Sequence, residues 1–125
     1  MADRILVVDD EPDMRLLLRM TLERSGFEVA EAESGEEAIE MAADASIDLV
    51  LLDMNLPGID GLQAVDGMRE RGAEPPVILL TAASDASLPE RAEAKGCRDV
   101  ISKYVSSAEL VVAIRAVLEG EEVAG

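Results

Sequence analysis

The chain has 125 residues, 49% of them hydrophobic, which is the size and composition of one folded domain. Its net charge is -16, and no Lys or Arg occurs between Arg24 and Arg69. Such a surface repels a phosphate backbone, so we expect no direct nucleic-acid binding. The absence of histidine and the single Cys97 exclude a Cys/His zinc site, a histidine-based triad and an internal disulfide, and Cys97 is expected in the core.

No apolar run approaches the ~20 residues needed to cross a bilayer. The first residues, Met1 to Arg4, lack the basic and apolar regions of a signal peptide. We therefore expect a cytoplasmic domain without membrane contact. One domain is predicted over residues 1–120, followed at 121–125 by a short acidic tail or the start of a linker.

Short apolar runs predict five β-strands along the chain. They lack alternation with polar residues, which is typical of parallel strands buried on both faces. The predicted strands cover residues 4–8, 27–31, 48–52, 77–80 and 99–102.

Helical patterns occupy the segments between these strands. The first helix has apolar spacings of three and four, and Pro12 suits its opening turn as Gly26 suits its C-terminal cap. Its periodic positions are Met14, Leu17, Leu18, Thr21 and Leu22. The third helix is predicted over 61–71, stopped by Gly72, and the last is anchored by Leu110, Ile114, Val117 and Leu118.

Three serines precede a glutamate by three residues, which is the pattern of a helix capping box. They are Ser34, Ser87 and Ser106. Regular alternation of strands and helices predicts a three-layer α/β sandwich with right-handed crossovers.

Polar residues stand at the ends of four predicted strands: Asp9 and Asp10 at the first, Asp53 at the third, Thr81 at the fourth and Lys103 at the last. The carboxyl ends of parallel strands meet at one edge of the sheet, where such folds bind ligands. Clustered carboxylates repel one another unless a cation neutralises them. Mg²⁺ suits them because it prefers hard oxygen ligands and keeps waters that a phosphate can replace.

Lys103 would then bind a phosphate oxygen, and Thr81 would add a hydroxyl donor. The small Ala82 and Ala83 leave backbone N–H groups accessible to a tetrahedral ligand. Taken singly, each residue also has a purely structural interpretation, since strand-end Asp and Thr residues often cap helices or turns and a strand-end Lys is often solvated. The loop from Asn55 to Gly61 could aim a carbonyl at a metal, or could be simple turn chemistry.

Four segments, in this order along nearly the whole chain, resemble the receiver domain of two-component response regulators, the CheY-like superfamily. They are Val7 to Glu11, Leu52 to Gly61, Leu80 to Ala82 and Gly96 to Lys103. The resemblance implies a flavodoxin-like (βα)5 fold with a parallel sheet in the order 2-1-3-4-5.

The resemblance also implies that a sensor histidine kinase or a phosphotransfer protein donates a phosphoryl group to Asp53, and that a downstream output domain or protein reads the result. Asp10, Asp53 and the Asn55 carbonyl would hold Mg²⁺ or Mn²⁺, with Asp9 acting mainly through water. Lys103 would stabilise the transferring group, and Thr81 and Ala82 would move toward the phosphate.

Two positions depart from the family pattern: Val100 stands where a Tyr or Phe is usual, and Tyr104 where a Pro usually follows the lysine. We therefore expect a trans Lys103–Tyr104 peptide, with the Tyr104 ring packed near the start of the last helix. Val100 also motivates an alternative function, a protein-interaction module that signals without phosphorylation. A metal-dependent phosphohydrolase is disfavoured, because Asn55 stands where a second catalytic Asp would be needed.

Overall fold

A computed structural model describes residues 2–120, so the predicted tail at 121–125 lies outside the described residues. Strands and helices alternate along the chain. They are β1 (Arg4–Val8), α1 (Pro12–Arg24), β2 (Glu28–Ala32), α2 (Gly35–Ala42), β3 (Leu49–Asp53), α3 (Gly61–Glu70), β4 (Val77–Thr81), α4 (Leu88–Ala94), β5 (Asp99–Ser102) and α5 (Ser107–Leu118).

The strands form one parallel sheet in the order β2-β1-β3-β4-β5, which confirms the predicted fold class. Successive side chains of a strand point to opposite faces, and each face here carries its own apolar core. Leu52 and Leu79 face α2, α3 and α4, whereas Leu51 and Ile78 face α1 and α5. Both faces are therefore covered, which explains why the central strands read as unbroken apolar runs.

Two strands begin and end one residue later than predicted. β3 includes Asp53 as its last residue, so this carboxylate belongs to the strand and does not follow it. Asp48, predicted as the first residue of that strand, instead accepts a hydrogen bond from the Arg4 N–H at 2.8 Å. Cys97 lies in the core as expected, and Gly26 and Gly72 adopt positive φ after α1 and α3.

Helix α1 buries fewer residues than its periodicity predicts. Leu18 and Leu22 are buried, but Leu17 is 56% exposed, so its predicted inward position is wrong. Leu17 lies at the rim of a small cleft between α1 and α5, where the two helices leave a groove.

Two of the three predicted serine caps form. Ser34 and Ser106 accept hydrogen bonds from the N–H groups three residues ahead. Ser87 does not cap α4, because its backbone is already helical and its hydroxyl donates to Asp85 instead. A reciprocal capping box that was not predicted starts α3, where Asp60 and Gln63 each bind the other's backbone N–H.

Within residues 2–120, no helix combines the length and the apolar character that crossing a membrane requires.

Candidate functional site

The carboxyl edge of the sheet brings Asp9, Asp53 and Lys103 into direct contact. The Lys103 ammonium nitrogen lies 2.8 Å from Asp53 Oδ2 and 3.1 Å from Asp9 Oδ2. β1 and β3 are neighbours in the parallel sheet, and only β4 separates β3 from β5, so the strand order places the ends of these three strands close together at one edge. This confirms their predicted proximity.

Asp53 is buried, although a residue that accepts a phosphoryl group is expected to be accessible. Its side chain is only 2% exposed, because β3 extends to include it and Lys103 lies over it. Asp53 Oδ1 accepts the Asn55 N–H at 2.9 Å, and Oδ2 accepts from Lys103. A group that reacts with Asp53 must therefore displace the lysine.

Asp9 is held by an equivalent local bond. Its Oδ1 accepts the Glu11 N–H at 2.9 Å, while the residue itself is fully buried. Its Oδ2 receives no hydrogen bond of regular geometry among the described residues, but it lies 3.1 Å from the Lys103 ammonium nitrogen, which forms an ion pair with it. A buried carboxylate oxygen without a hydrogen bond is costly unless a cation satisfies it.

Asp10 completes an acidic cluster. One carboxylate oxygen from each of Asp9, Asp10 and Asp53 lies within 4.8 Å of the others, with Asp10 exposed and the other two buried. Hard oxygen donors at this separation fit a divalent cation such as Mg²⁺, with the exposed side left for water. The donor atoms are all carboxylate oxygens, so the residues present fit the ion.

Lys103 is charged in this site. Burial opposes its protonation, but its contacts with Asp53 and Asp9 outweigh burial and raise the pKa of the ammonium group above its ordinary value. The lysine therefore offsets part of the negative charge that the carboxylates bring to the edge.

Thr81 ends β4 beside the site, but its hydroxyl is bound in its own turn. Thr81 Oγ1 accepts the Ala83 N–H and donates to the Ala83 carbonyl, both at 3.2 Å. The expectation that the Ala83 N–H is free for a ligand is therefore wrong, since a strand-end threonine readily closes such a turn. Ala82 is exposed as expected.

The segment after Lys103 differs from one expectation and meets another. No peptide bond among residues 2–120 is cis, so the predicted trans Lys103–Tyr104 bond is confirmed. The predicted packing of the Tyr104 ring is wrong, because Tyr104 is 80% exposed. A tight turn, in which the Val105 N–H donates to the Ser102 carbonyl, turns Tyr104 outward and packs Val105 against the core instead.

Arg15 was not among the predicted site residues, yet it contacts the site. Its Nη1 donates to the Asp9 carbonyl at 2.7 Å, and its side chain is 11% exposed. A signal was present, because a helical side chain points back toward the helix N-terminus and Arg15 lies four residues after Glu11, which precedes α1.

Comparison with known proteins identifies the family. The model of the response regulator receiver domain matches residues 5–115. The chain therefore belongs to the receiver domains of two-component response regulators, a family that works by phosphorylation of an aspartate and typically uses Mg²⁺.

Among its relatives is the transcriptional regulatory protein ResD of Bacillus subtilis, 43% identical over 115 residues, which are 92% of this chain and 48% of ResD. SrrA of Staphylococcus aureus, also a transcriptional regulatory protein, is 40% identical over 118 residues, or 94% of this chain and 48% of SrrA. The chain thus spans about half the length of these relatives.

Solved structures agree with this assignment. A two-component response regulator of the LuxR family from Aurantimonas matches with a TM-score of 0.90 at 31% identity, covering 98% of this chain and 89% of that one. The chemotaxis protein CheY4 of Vibrio cholerae matches with a TM-score of 0.87 at 26% identity, covering 94% and 99%.

Proposed function

We propose that Asp53 is the phosphoacceptor of this receiver domain. The observation that carries the proposal is the contact of Lys103 with Asp53 at the centre of an acidic cluster at the carboxyl edge of the sheet. Asp53 is the last residue of the central strand β3, and its Oδ2 accepts a hydrogen bond from Lys103 at 2.8 Å, shorter than the 3.1 Å between Lys103 and Asp9. The donor is a phosphohistidine of a sensor histidine kinase or a phosphotransfer protein.

In the transfer, an oxygen of Asp53 forms a bond to phosphorus as the phosphorus–nitrogen bond of the phosphohistidine breaks. The electron pair of that bond stays on the ring nitrogen, and the ring leaves as neutral imidazole because its other nitrogen already carries a proton. Lys103 moves from Asp53 to an oxygen of the incoming group, which keeps its positive charge where negative charge gathers. The domain thus catalyses its own phosphorylation by positioning and electrostatics, and hydrolysis of the acyl phosphate reverses it.

Asp10, Asp53 and the Asn55 carbonyl would hold Mg²⁺, or Mn²⁺ in its place, with Asp9 acting mainly through water. The bound ion would supply charge neutralisation for the transferring group. The close approach of one carboxylate oxygen from each of Asp9, Asp10 and Asp53 supports this set.

Phosphorylation adds about two negative charges beside Lys103. We propose that the Thr81 hydroxyl then leaves its bonds with Ala83 and binds the phosphate, which moves the exposed Ala82 and shifts the surface of α4, β5 and α5. Because relatives about twice as long are transcriptional regulators, an output domain or a separate output protein is the proposed reader of that surface.

The donor is proposed to dock on α1. Leu16 is 56% and Met20 43% exposed, and they lie four residues apart on the helix face opposite buried Leu18 and Leu22. Of the charged residues beside them, Arg19 and Glu23 are partly exposed whereas Arg15 is turned toward Asp9, and exposed apolar side chains flanked by charge suit a transient helical partner.

Incubation with acetyl phosphate and Mg²⁺, followed by intact mass measurement, tests the central proposal. We expect one phosphoryl group on the wild-type domain, none without a divalent cation and none on Asp53→Asn. Asp66→Asn is the matched control, because Asp66 is an exposed aspartate on α3 paired with Lys95. Equal labelling of Asp53→Asn and the control would show that Asp53 is not the acceptor.

The alternative function is an interaction module that works without phosphorylation. Val100 favours it, because a small residue on β5 supplies no aromatic ring to change position. A domain that takes no phosphoryl group under these conditions, yet folds and binds its partner, would favour this alternative.

A further inference from the structure

Arg15 connects three parts of the protein around the acidic cluster. Nη1 donates to the Asp9 carbonyl at 2.7 Å, Nε is 3.3 Å from Glu31 Oε1, and Nη2 is 3.4 Å from Glu33 Oε1. Glu31 belongs to β2 and Glu33 follows it, so one guanidinium group ties the loop after β1 to the end of the neighbouring strand.

The bond to the Asp9 carbonyl acts on Asp10. The carbonyl of Asp9 and the N–H of Asp10 belong to one planar peptide group, so fixing the carbonyl fixes the direction in which the chain enters Asp10. Asp10 is the exposed member of the cluster and has no buried surroundings to orient it. The other polar atoms of Asp9 are bound separately: its N–H donates to the Ala32 carbonyl at 3.2 Å, its Oδ1 accepts from Glu11, and its Oδ2 pairs with Lys103.

We propose that Arg15 is a positioning residue for the divalent cation: it holds the Asp9–Asp10 peptide so that the Asp10 carboxylate faces Asp53. The inference rests on the proposed function, because it assumes that this cluster binds Mg²⁺. Arg15 itself binds the Asp9 carbonyl, Glu31 and Glu33, so it would act on the ion through Asp10.

The loss of the Arg15 charge, taken alone, would change the affinity for Mg²⁺ in the opposite direction. Loss of a positive charge near a cation site strengthens cation binding, whereas loss of the positioning bond weakens it, so the direction of the change separates the two effects. Arg19 provides a matched control, since it lies one turn further along α1 and contacts the same Glu31 at 2.6 Å.

The test measures the Mg²⁺ dissociation constant of the unphosphorylated domain by titration calorimetry. We expect Arg15→Gln to raise the constant about tenfold, at the lower end of the range for groups that orient metal ligands. Arg15→Lys should raise it less, because an ammonium group can keep the carbonyl bond but cannot span all three partners. Arg19→Gln should leave it unchanged or lower it slightly.

Amide hydrogen exchange gives a second readout without the ion. The Glu11 N–H, which donates to Asp9 Oδ1, should exchange faster in Arg15→Gln than in Arg19→Gln, while circular dichroism shows that both variants remain folded. If Arg15→Gln does not fold, Arg15→Lys carries the test.

Wild-type affinity in the folded Arg15 variants, or tighter binding in Arg15→Gln, would overturn the inference while leaving the proposed function intact. A wild-type domain that neither binds Mg²⁺ nor accepts a phosphoryl group would overturn the proposed function, and the role of Arg15 with it.

Discussion

Gly61, the first residue of α3, packs directly against the backbone that carries Asp53. Its N–H donates to the Met54 carbonyl at 2.9 Å. A methyl group added at Gly61 would lie 2.9 Å from Met54 Cα, 3.0 Å from the Asp53 carbonyl oxygen and 3.1 Å from Leu79 Cδ2. The φ angle of Gly61 is not positive, so an alanine here is limited by contact and not by backbone conformation.

Gly61→Ala should therefore destabilise the fold. Overpacking against atoms that cannot move destabilises the fold by about 1–3 kcal/mol. The better helix propensity of alanine stabilises it by at most ~0.5–1 kcal/mol and so offsets only part of that loss. The expected net loss is about 1–2 kcal/mol in the free energy of unfolding, a fall of roughly 0.5–1 M in the urea midpoint. Gly67→Ala in the same helix is the matched control, because its added methyl group meets the end of the Ile39 side chain, which can rotate away.

Urea unfolding followed by circular dichroism measures both variants. We expect Gly61→Ala to be the less stable by about 1 kcal/mol, the difference between rigid and movable neighbours. If Gly61→Ala matched or exceeded Gly67→Ala in stability, the backbone of β3 would be free to yield, and the argument that it rigidly holds Asp53 would be refuted.

Three further results are expected. The contacts of Lys103 with Asp53 and Asp9 raise the pKa of Lys103 in the folded state. The stabilisation from these contacts should therefore be complete below the pKa of an unfolded lysine, about 10.4, and lost as the pH rises through the folded pKa. The difference in the free energy of unfolding between wild type and Lys103→Met should shrink in that alkaline range and not near neutrality. Burial raises the pKa of Cys97 to about 11, so iodoacetamide should alkylate it slowly at pH 8 in the native domain and rapidly in urea, and fast native alkylation would contradict its burial. A Leu16→Glu, Met20→Glu double variant should slow phosphotransfer from the kinase by about tenfold, the factor for each 1.4 kcal/mol of lost binding, while labelling by acetyl phosphate stays unchanged. Val112→Glu serves as the control, because Val112 is an exposed apolar residue on α5. An equal effect of the control would exclude specific docking on α1.

Strand order and site composition could be predicted because each rests on one strong pattern. Unbroken apolar runs identify parallel strands, and the polar residue at each strand end then falls at a common edge whatever the details of packing. A one-residue error in the end of β3 left that conclusion unchanged. The one-residue difference does affect the accessibility of Asp53, because within the strand its side chain lies under Lys103 and is shielded from solvent.

The features that sequence reasoning missed depend on competition among local partners. Ser87 has the pattern of a cap, yet its hydroxyl donates to Asp85, which lies nearer in the turn. The Thr81 hydroxyl accepts a hydrogen bond from the Ala83 backbone in place of binding a ligand. Tyr104 points outward because Val105 occupies the position against the core. Residue types and spacings state which bonds are possible at each position, but only the folded geometry decides among them.

The balance of charge at the sheet edge connects stability to signalling. Buried Asp9 and Asp53 are tolerated in the unphosphorylated fold because Lys103 neutralises part of their charge, and this requires the lysine to cover the proposed acceptor. A phosphoryl group on Asp53 would remove that contact and create a stronger partner for the same ammonium group. The lysine would then pass from Asp53 to the phosphate without leaving the site, so the ammonium group that stabilises the resting fold would also stabilise the phosphorylated one. On this proposal the difference between the two states would fall on the neighbouring Thr81 turn, because its bonds to Ala83 are local and exposed and would cost little to exchange for bonds to phosphate.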